Sequence, residues 1–352
     1  MANVHVASKR GLTVPGITAI VPAYNEAESI ATTIVSLRNQ SHRVKEIIVV
    51  DDCSTDATGD IARALGATVL RPPVNSGSKA GAQTFALSHV RTEFCMAIDA
   101  DTELAPDAVE RVMEAFIDCT VAAACGFVLP RYVSSVWERG RYIEYLFAFT
   151  FYKPIQDFFE KPLICSGCFS AYRTDPLRRI GGWSNRTMAE DMDLTWTLYQ
   201  QGHKVRFVQE AVCYPIEPHD FHFLGKQLRR WSHGFVQNVR LHWRDVLRQP
   251  YLRSLLAVVM WDAIVASLAF LVLIPLLAIW IHPLFLLGYI IDLPAVAVPV
   301  LTKGAQRGEV GRVLLSLPCF IVMRLVNSVF MLRAVWLELV LGRTLLVYEK
   351  GH

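Results

Sequence analysis

Between residues 17 and 117 the chain alternates short apolar runs rich in β-branched residues with stretches whose apolar positions recur at helical spacing. That pattern predicts an α/β unit with a parallel sheet flanked by helices. ITAIVPA reads as a strand ending at Pro22, AESIATTIVSLRNQ as a helix, and EIIVVDD as a second buried strand. TGDIARALG follows as a helix closing on Gly66, ATVLRPP as a third strand, KAGAQTFALSHV as a helix and EFCMAIDAD as a fourth strand. The whole is expected to be a doubly wound nucleotide-binding half, in which ligands sit at the carboxyl ends of the strands. Those ends carry Asn25 and Glu26, Asp51 and Asp52, and Asp99 and Asp101, so the acids are expected to converge on one edge. From about residue 120 to 250 the pattern is mixed, and the aromatic-rich YIEYLFAFTFYKPIQDFF fits either a surface-seeking amphipathic helix or core packing.

After residue 253 the character changes, and this is where the hydrophobic share of 53% and the mean hydropathy of +0.31 are concentrated. SLLAVVMWDAIVASLAFLVLIPLLAIWI, residues 254–281, would make a helix about 42 Å long, more than the ~30 Å hydrocarbon core of a bilayer requires. PLFLLGYIIDLPAVAVPVL, residues 283–301, predicts a second span closing a tight hairpin through His282 and Pro283, although Asp292, Pro294 and Pro299 weaken it. The third run, residues 313–341, holds Arg324, Arg333 and Glu338. The nine positions from Arg324 to Arg333 rotate a helix by roughly 180°, so the two arginines face opposite ways. Asp262 and Arg324 are expected to pair, between helices or between subunits, because lone charges at apolar depth are costly. Lys303, Arg307 and Arg312 mark the intervening loop as cytoplasmic. A full third crossing would carry Arg343 and Lys350 outside against that charge rule, so either three transmembrane helices or two with a partly interfacial third segment fit. Residues 1–250 are thus read as a cytosolic catalytic domain with interface helices, and residues 251–352 as a membrane domain.

A net charge of +3, with its basic residues scattered, gives no reason to expect nucleic acid. The first sixteen residues hold no apolar run of signal-peptide length, so the catalytic part is expected in the cytosol and the eight cysteines of the chain are expected to be free thiols.

The candidate chemistry is acidic. Asp99 and Asp101 form a D-x-D, where alternation along an extended chain aims both carboxylates to one side to hold one Mg²⁺ or Mn²⁺ against a diphosphate; the same three residues also read as a turn. Asp51 and Asp52 precede CSTD, whose Ser54 or Thr55 can cap the next helix, and a carboxylate there can accept from a nucleobase or ribose. NSGSKAGAQ sets Gly77 and Gly81 around Lys79 at a turn into a helix, suited to a nucleotide or phosphate but unlike a Walker A sequence. AEDMD offers Glu190, Asp191 and Asp193 as mutually tuned carboxylates for a general base or as an acidic helix start. Further on, Gln227, Arg230 and Trp231 share one helical face.

In this order, VPAYNE, VVDDCSTD, NSGSKAG, DAD, SGC, ED and QLRRW resemble the inverting glycosyltransferases of family 2 with the GT-A fold, over roughly residues 15–245. The complete Q-x-x-R-W element resembles the processive, membrane-embedded subgroup that makes cellulose, chitin and hyaluronan. The resemblance implies a metal-dependent hexosyl- or N-acetylhexosaminyltransferase using a UDP-sugar and Mn²⁺ or Mg²⁺, with a saccharide or lipid-linked acceptor. It implies that Ala23, Tyr24, Glu26 and Asp52 line the nucleotide site, that Asp99 contacts the nucleotide sugar and that Asp101 holds the metal. Asp191, beside Glu190, would be the base, Ser166, Gly167 and Cys168 would border the acceptor, Gln227 and Arg230 would sit by the diphosphate, and Trp231 would stack under the acceptor sugar. Two departures stand out: Ala189 replaces the usual Thr, and two or three apolar segments are too few to enclose a polymer channel. Subunits would then assemble as a homo-oligomer, or the enzyme transfers single sugars to a polyprenyl phosphate or protein.

Overall fold

The structure is a computed structural model and describes residues 15–345. The amino-terminal stretch and Lys350, both used above, lie outside these residues. Strands β1 (Ile17–Ala23), β2 (Glu46–Asp51), β3 (Thr68–Leu70), β4 (Phe94–Ile98), β5 (Glu103–Leu104), β6 (Val121–Val128), β7 (Phe169–Arg173) and β8 (Lys204–Tyr214) form one sheet. Its order is β3-β2-β1-β4-β7-β6-β8-β5. The first four strands run parallel, as the alternation predicts, and the apolar runs of β1, β2 and β4 are buried, whereas the edge strand β3 is only partly covered. Beyond β4 the sheet is mixed, since β7 runs antiparallel to both β4 and β6.

The strand expected to carry Asp99 and Asp101 ends earlier, at Ile98. The two acids lie on a turn closed by Thr102 N donating to Asp99 O at 3.1 Å. Their common direction therefore comes from the turn and not from strand alternation, which corrects the extended reading in favour of its alternative. Helix capping differs too. Ala57 is the N-cap of the helix Thr58–Ala64, and Ser54 and Thr55 are engaged elsewhere.

A helix of 28 residues, Phe221–Arg248, opens on Asp220, whose carboxylate accepts from Phe223 N at 2.8 Å. It leads to three helices long and apolar enough to cross a membrane, Pro250–Trp280, Pro283–Gln306 and Val310–Val340. Arg324 joins all three: it bonds Asp262 of the first through both its terminal nitrogens, one at 2.8 Å, and lies 3.5 Å from Asp292 in the second. The expected pairing of Asp262 with Arg324 thus occurs within one chain. Arg333 is exposed on the other side of the third helix, as the rotation requires. All eight cysteines are free thiols.

Candidate active site

The loop after β1 is laced to the loop after β2. Asn25, in the left-handed region at φ 54°, donates its N–H to Ser54 Oγ at 3.0 Å and accepts from Thr55 N at 2.8 Å. Glu26 N donates to Thr58 Oγ1 at 2.7 Å, and Asp52 N donates to Ala23 O at 2.9 Å. Ala23 and Glu26 are buried there, whereas Tyr24 is exposed. Asp51, expected as a candidate beside Asp52, is structural: it is buried, accepts from Ser54 N at 2.9 Å and is paired with Arg71 at 2.7 Å. Asp52 spans outward to the third motif, accepting from Ser76 N at 2.8 Å and Ser76 Oγ at 2.7 Å. That grip fixes the turn at Gly77, whose φ of 73° favours glycine, so that Ser78 can cap the helix Lys79–Leu87 by accepting from Gly81 N at 3.0 Å.

Lys79 is the hub. Its ammonium pairs with Asp99, lies 3.8 Å from Glu190 and donates to Gly167 O at 3.0 Å. Gly167 N in turn donates to Asp191 Oδ2 at 2.8 Å, and Met192 N donates to Asp191 Oδ1 at 2.8 Å. A Cβ on Gly167 would stand 2.9 Å from Asp191 Oδ2 and 3.1 Å from Lys79 Nζ, so a side chain there would push these two charged ends aside. Burial pushes the Glu190 carboxyl above the ordinary range; Lys79 opposes the shift, Asp191 adds to it and Arg230 opposes it. Arg230 therefore reaches the same site from the long helix. A cavity of ≈ 160 Å³ opens beside this cluster, lined by Ser76, Gly77, Ser78, Lys79, Asn185 and Glu190.

Asp101 lies on the Asp99 turn, accepting from Thr102 Oγ1 at 3.2 Å. Among the described residues no three metal-ligating side chains gather on their own. Two hard carboxylates on one turn nevertheless suit Mg²⁺ or Mn²⁺, ions that take one or two protein carboxylates and complete their shell from phosphate and water.

On the long helix, Gln227 and Trp231 converge on Arg141, from the helix Val136–Phe147. Arg141 Nη2 donates to Gln227 Oε1 at 2.8 Å, its guanidinium lies 4.7 Å from the Trp231 ring centroid, and Nη1 donates to Glu144 at 2.8 Å. Gln227 Nε2 also donates to Glu217 at 3.2 Å. Gln227 is thus held by two partners, and one face of the indole is covered. Burial raises both Glu144 and Glu217, with Arg141 opposing it in each.

Further along, the same helix seats the loop 187–189 that leads into the helix Glu190–Gln200, whose first two residues are the Glu-Asp pair. Gln237 Oε1 accepts from Met188 N at 2.9 Å, and Asn238 Nδ2 donates to Ala189 O at 3.1 Å and Thr187 Oγ1 at 3.0 Å. A Cβ at Gly234 would be 2.7 Å from Ala189 Cβ. The departure at Ala189 therefore has a packing reason, because a larger side chain would meet the helix. Asp193, considered above with its neighbours, is turned away from Lys79 and is bound by His242 at 2.6 Å and Arg186 at 2.7 Å. Sequence reasoning missed Arg141, Gly234, Gln237 and Asn238. The last three were legible as a stripe of small and amide residues at spacings of three and four.

Residues 18–181 match the family model Glycosyl transferase family 2 and make a domain of that family, within a GT-A-like α/β fold. Over 226 residues the chain is 28% identical to the poly-beta-1,6-N-acetyl-D-glucosamine synthase of Staphylococcus epidermidis, covering 63% of this chain and 55% of that protein. It is 30% identical over 244 residues to the uncharacterized glycosyltransferase YaiP of Escherichia coli K12, covering 65% of this chain and 58% of that one. The chain spans little more than half the length of these relatives. Among solved structures, a mannosyltransferase from Pyrobaculum calidifontis in complex with GDP-Man and Mn²⁺ matches with a TM-score of 0.64 at 20% identity, over 93% of this chain and 88% of that one. At that identity the likeness is one of fold, and it extends into the apolar helices.

Proposed function

We propose that the protein is a membrane-bound inverting glycosyltransferase that moves a sugar from a UDP-sugar to a saccharide acceptor, forming β-linkages. The observation that carries this reading is the single bonded cluster made by Lys79, Asp99, Gly167 and Asp191, drawn from four distant segments, with Glu190 and Arg230 beside it. In this reading Ala23, Tyr24, Glu26 and Asp52 line the nucleotide side. Lys79 and Arg230 face the diphosphate, Gln227 fixes the helix beside it, and the open face of Trp231 supports the acceptor ring, since an indole suits the apolar face of a pyranose. Asp99 and Asp101 would hold Mn²⁺ or Mg²⁺, which when bound neutralises charge on the leaving diphosphate.

Asp191 has both oxygens oriented by backbone N–H groups, leaving lone pairs for an acceptor hydroxyl. The hydroxyl oxygen attacks the anomeric carbon, its proton passes to Asp191, and the bond to the diphosphate oxygen breaks. The anomeric configuration inverts in that one displacement. The relatives named as synthases support repeated addition. A second reading is a single transfer to a polyprenyl phosphate or protein, since the three apolar helices among the described residues do not by themselves wall a polymer channel unless copies of the chain assemble. Lys303, Arg307 and Arg312 support a cytoplasmic catalytic domain.

The test is nucleotide release by the purified protein with Mn²⁺ or Mg²⁺ across UDP- and GDP-sugars, with product masses. Release from one UDP-sugar, abolished in Asp191→Asn, is expected. No release from any donor would refute the reading, and a single added sugar in place of a ladder would select the second.

A further inference from the structure

The third apolar helix is long enough to span a bilayer, but its contacts run otherwise. At its start Glu309 accepts from Tyr142 Oη at 3.0 Å. At mid-length Asn327 bonds Glu144, and Gly140 packs on Met323 and Cys319. At its end Glu338 accepts from His233 Nδ1 at 2.7 Å, Gln237 Nε2 at 2.7 Å and Leu345 N at 3.0 Å. Tyr142, Glu144, His233 and Gln237 all belong to the catalytic domain, and Gln237 is the residue that holds Met188, two positions from Glu190. The 29 residues from Glu309 to Glu338 measure about 43 Å along a helix. A crossing would put Glu338 on the far side of a ~30 Å hydrocarbon layer from Glu309, yet both ends rest on one globular domain.

The two faces of this helix agree. Val313, Ser316, Met323, Ser328, Ala334 and Glu338 are buried toward the domain and its neighbours. Leu315, Val322, Val329 and Trp336, seven residues apart, are exposed and form a straight apolar stripe along the opposite face. Trp261, Val265, Leu268 and Val272 of the first apolar helix are exposed as well.

We propose that helix Val310–Val340 does not cross the membrane but lies along it as a strap, its apolar stripe in the acyl boundary of the leaflet facing the catalytic domain and its polar face on that domain. Only the hairpin through His282 then enters the bilayer, and it returns to the side it left. The proposal rests on the reading of the apolar helices as membrane-embedded. Its consequence is that the lipid surface is coupled through Glu338 and Gln237 to the loop bearing Asp191.

The side on which the chain ends decides the matter. Cys119, exposed on the catalytic domain, marks that domain's side. In sealed vesicles a membrane-impermeant polyethylene-glycol maleimide should modify Arg343→Cys, in a Cys119→Ser background, from the same side as Cys119 in the parent protein. Leu341→Cys serves if that variant folds poorly. Modification only from the opposite side overturns the strap. Nitroxides placed at 315, 322, 329 and 336 should report one common depth; a progressive change approaching the roughly 31 Å that 21 helical residues span would likewise overturn it. Alkaline carbonate extraction separates the two readings. Release from the membrane refutes the embedding itself, whereas retention with opposite-side labelling refutes the strap alone.

Discussion

Gly234→Ala probes the seat of the catalytic loop with a single methyl group. The added Cβ would lie 2.7 Å from Ala189 Cβ and N and 2.9 Å from Met188 C, whereas carbon contacts settle at about 3.5–4.0 Å. Two of those three atoms are backbone and cannot rotate aside. The loop must therefore retreat by about 1 Å, stretching the Gln237 and Asn238 bonds and carrying Glu190 and Asp191 with it. A misplacement of that size can cost ~10²-fold in rate. Stability changes far less, because overpacking costs ~1–3 kcal/mol while exchanging Gly for Ala inside a helix returns ~1 kcal/mol. The expected result is a kcat for nucleotide release lowered about a hundredfold, with a detergent melting temperature near that of the parent. Gly225→Ala on the same helix is the control, since its Cβ meets only Phe330 Cζ at 3.5 Å, and it should leave kcat unchanged. A Gly234→Ala enzyme within twofold of the parent in kcat would refute the account of how the loop is held.

Glu190 should set the acid limb of the pH–rate profile. Burial raises its carboxyl above the ordinary range, so as pH falls it takes up a proton and Lys79 loses a partner. In Glu190→Gln the limb should move to lower pH, and an unmoved limb would remove Glu190 from that role. Arg141→Ala leaves Glu144 and Glu217 buried without their cation, so a loss of ~3–5 kcal/mol is expected in denaturant unfolding. Adding Glu217→Gln should recover part of it, and no recovery would mean the pair is not coupled through Arg141. Asp262→Arg and Arg324→Asp should each lower the yield of folded protein, and the double exchange should restore it; a double variant as poor as the singles would dismiss the pair as a structural tie.

The parallel core was readable because three of its four strands, β1, β2 and β4, are unbroken buried apolar runs, and each of these three is followed by acids. The Asp99–Asp101 geometry was not, since a three-residue motif carries no sign of whether the chain is extended or turning; the bond from Thr102 N decides that. Lys79 was legible as a cation near phosphate, but its position between Asp99 and Glu190 depends on β7 entering the sheet from 70 residues beyond β4, by the spacing of Ile98 and Phe169. Arg141 lay hidden because it stands just before the quoted aromatic segment, outside every motif singled out in the sequence. Hydropathy identified three apolar helices and was blind to the path of the third, which follows from contacts at Glu309, Asn327 and Glu338.

The guanidinium of Arg324 also imposes a schedule on synthesis. Asp262 emerges 62 residues ahead of it, an interval of roughly 3–12 s at a synthesis rate of about 5–20 residues per second. During that time the hairpin carries two carboxylates, Asp262 and Asp292, with their shared cation still unmade. The nascent hairpin is thus a waiting intermediate, and the third apolar helix completes the anchor by giving both carboxylates their cation.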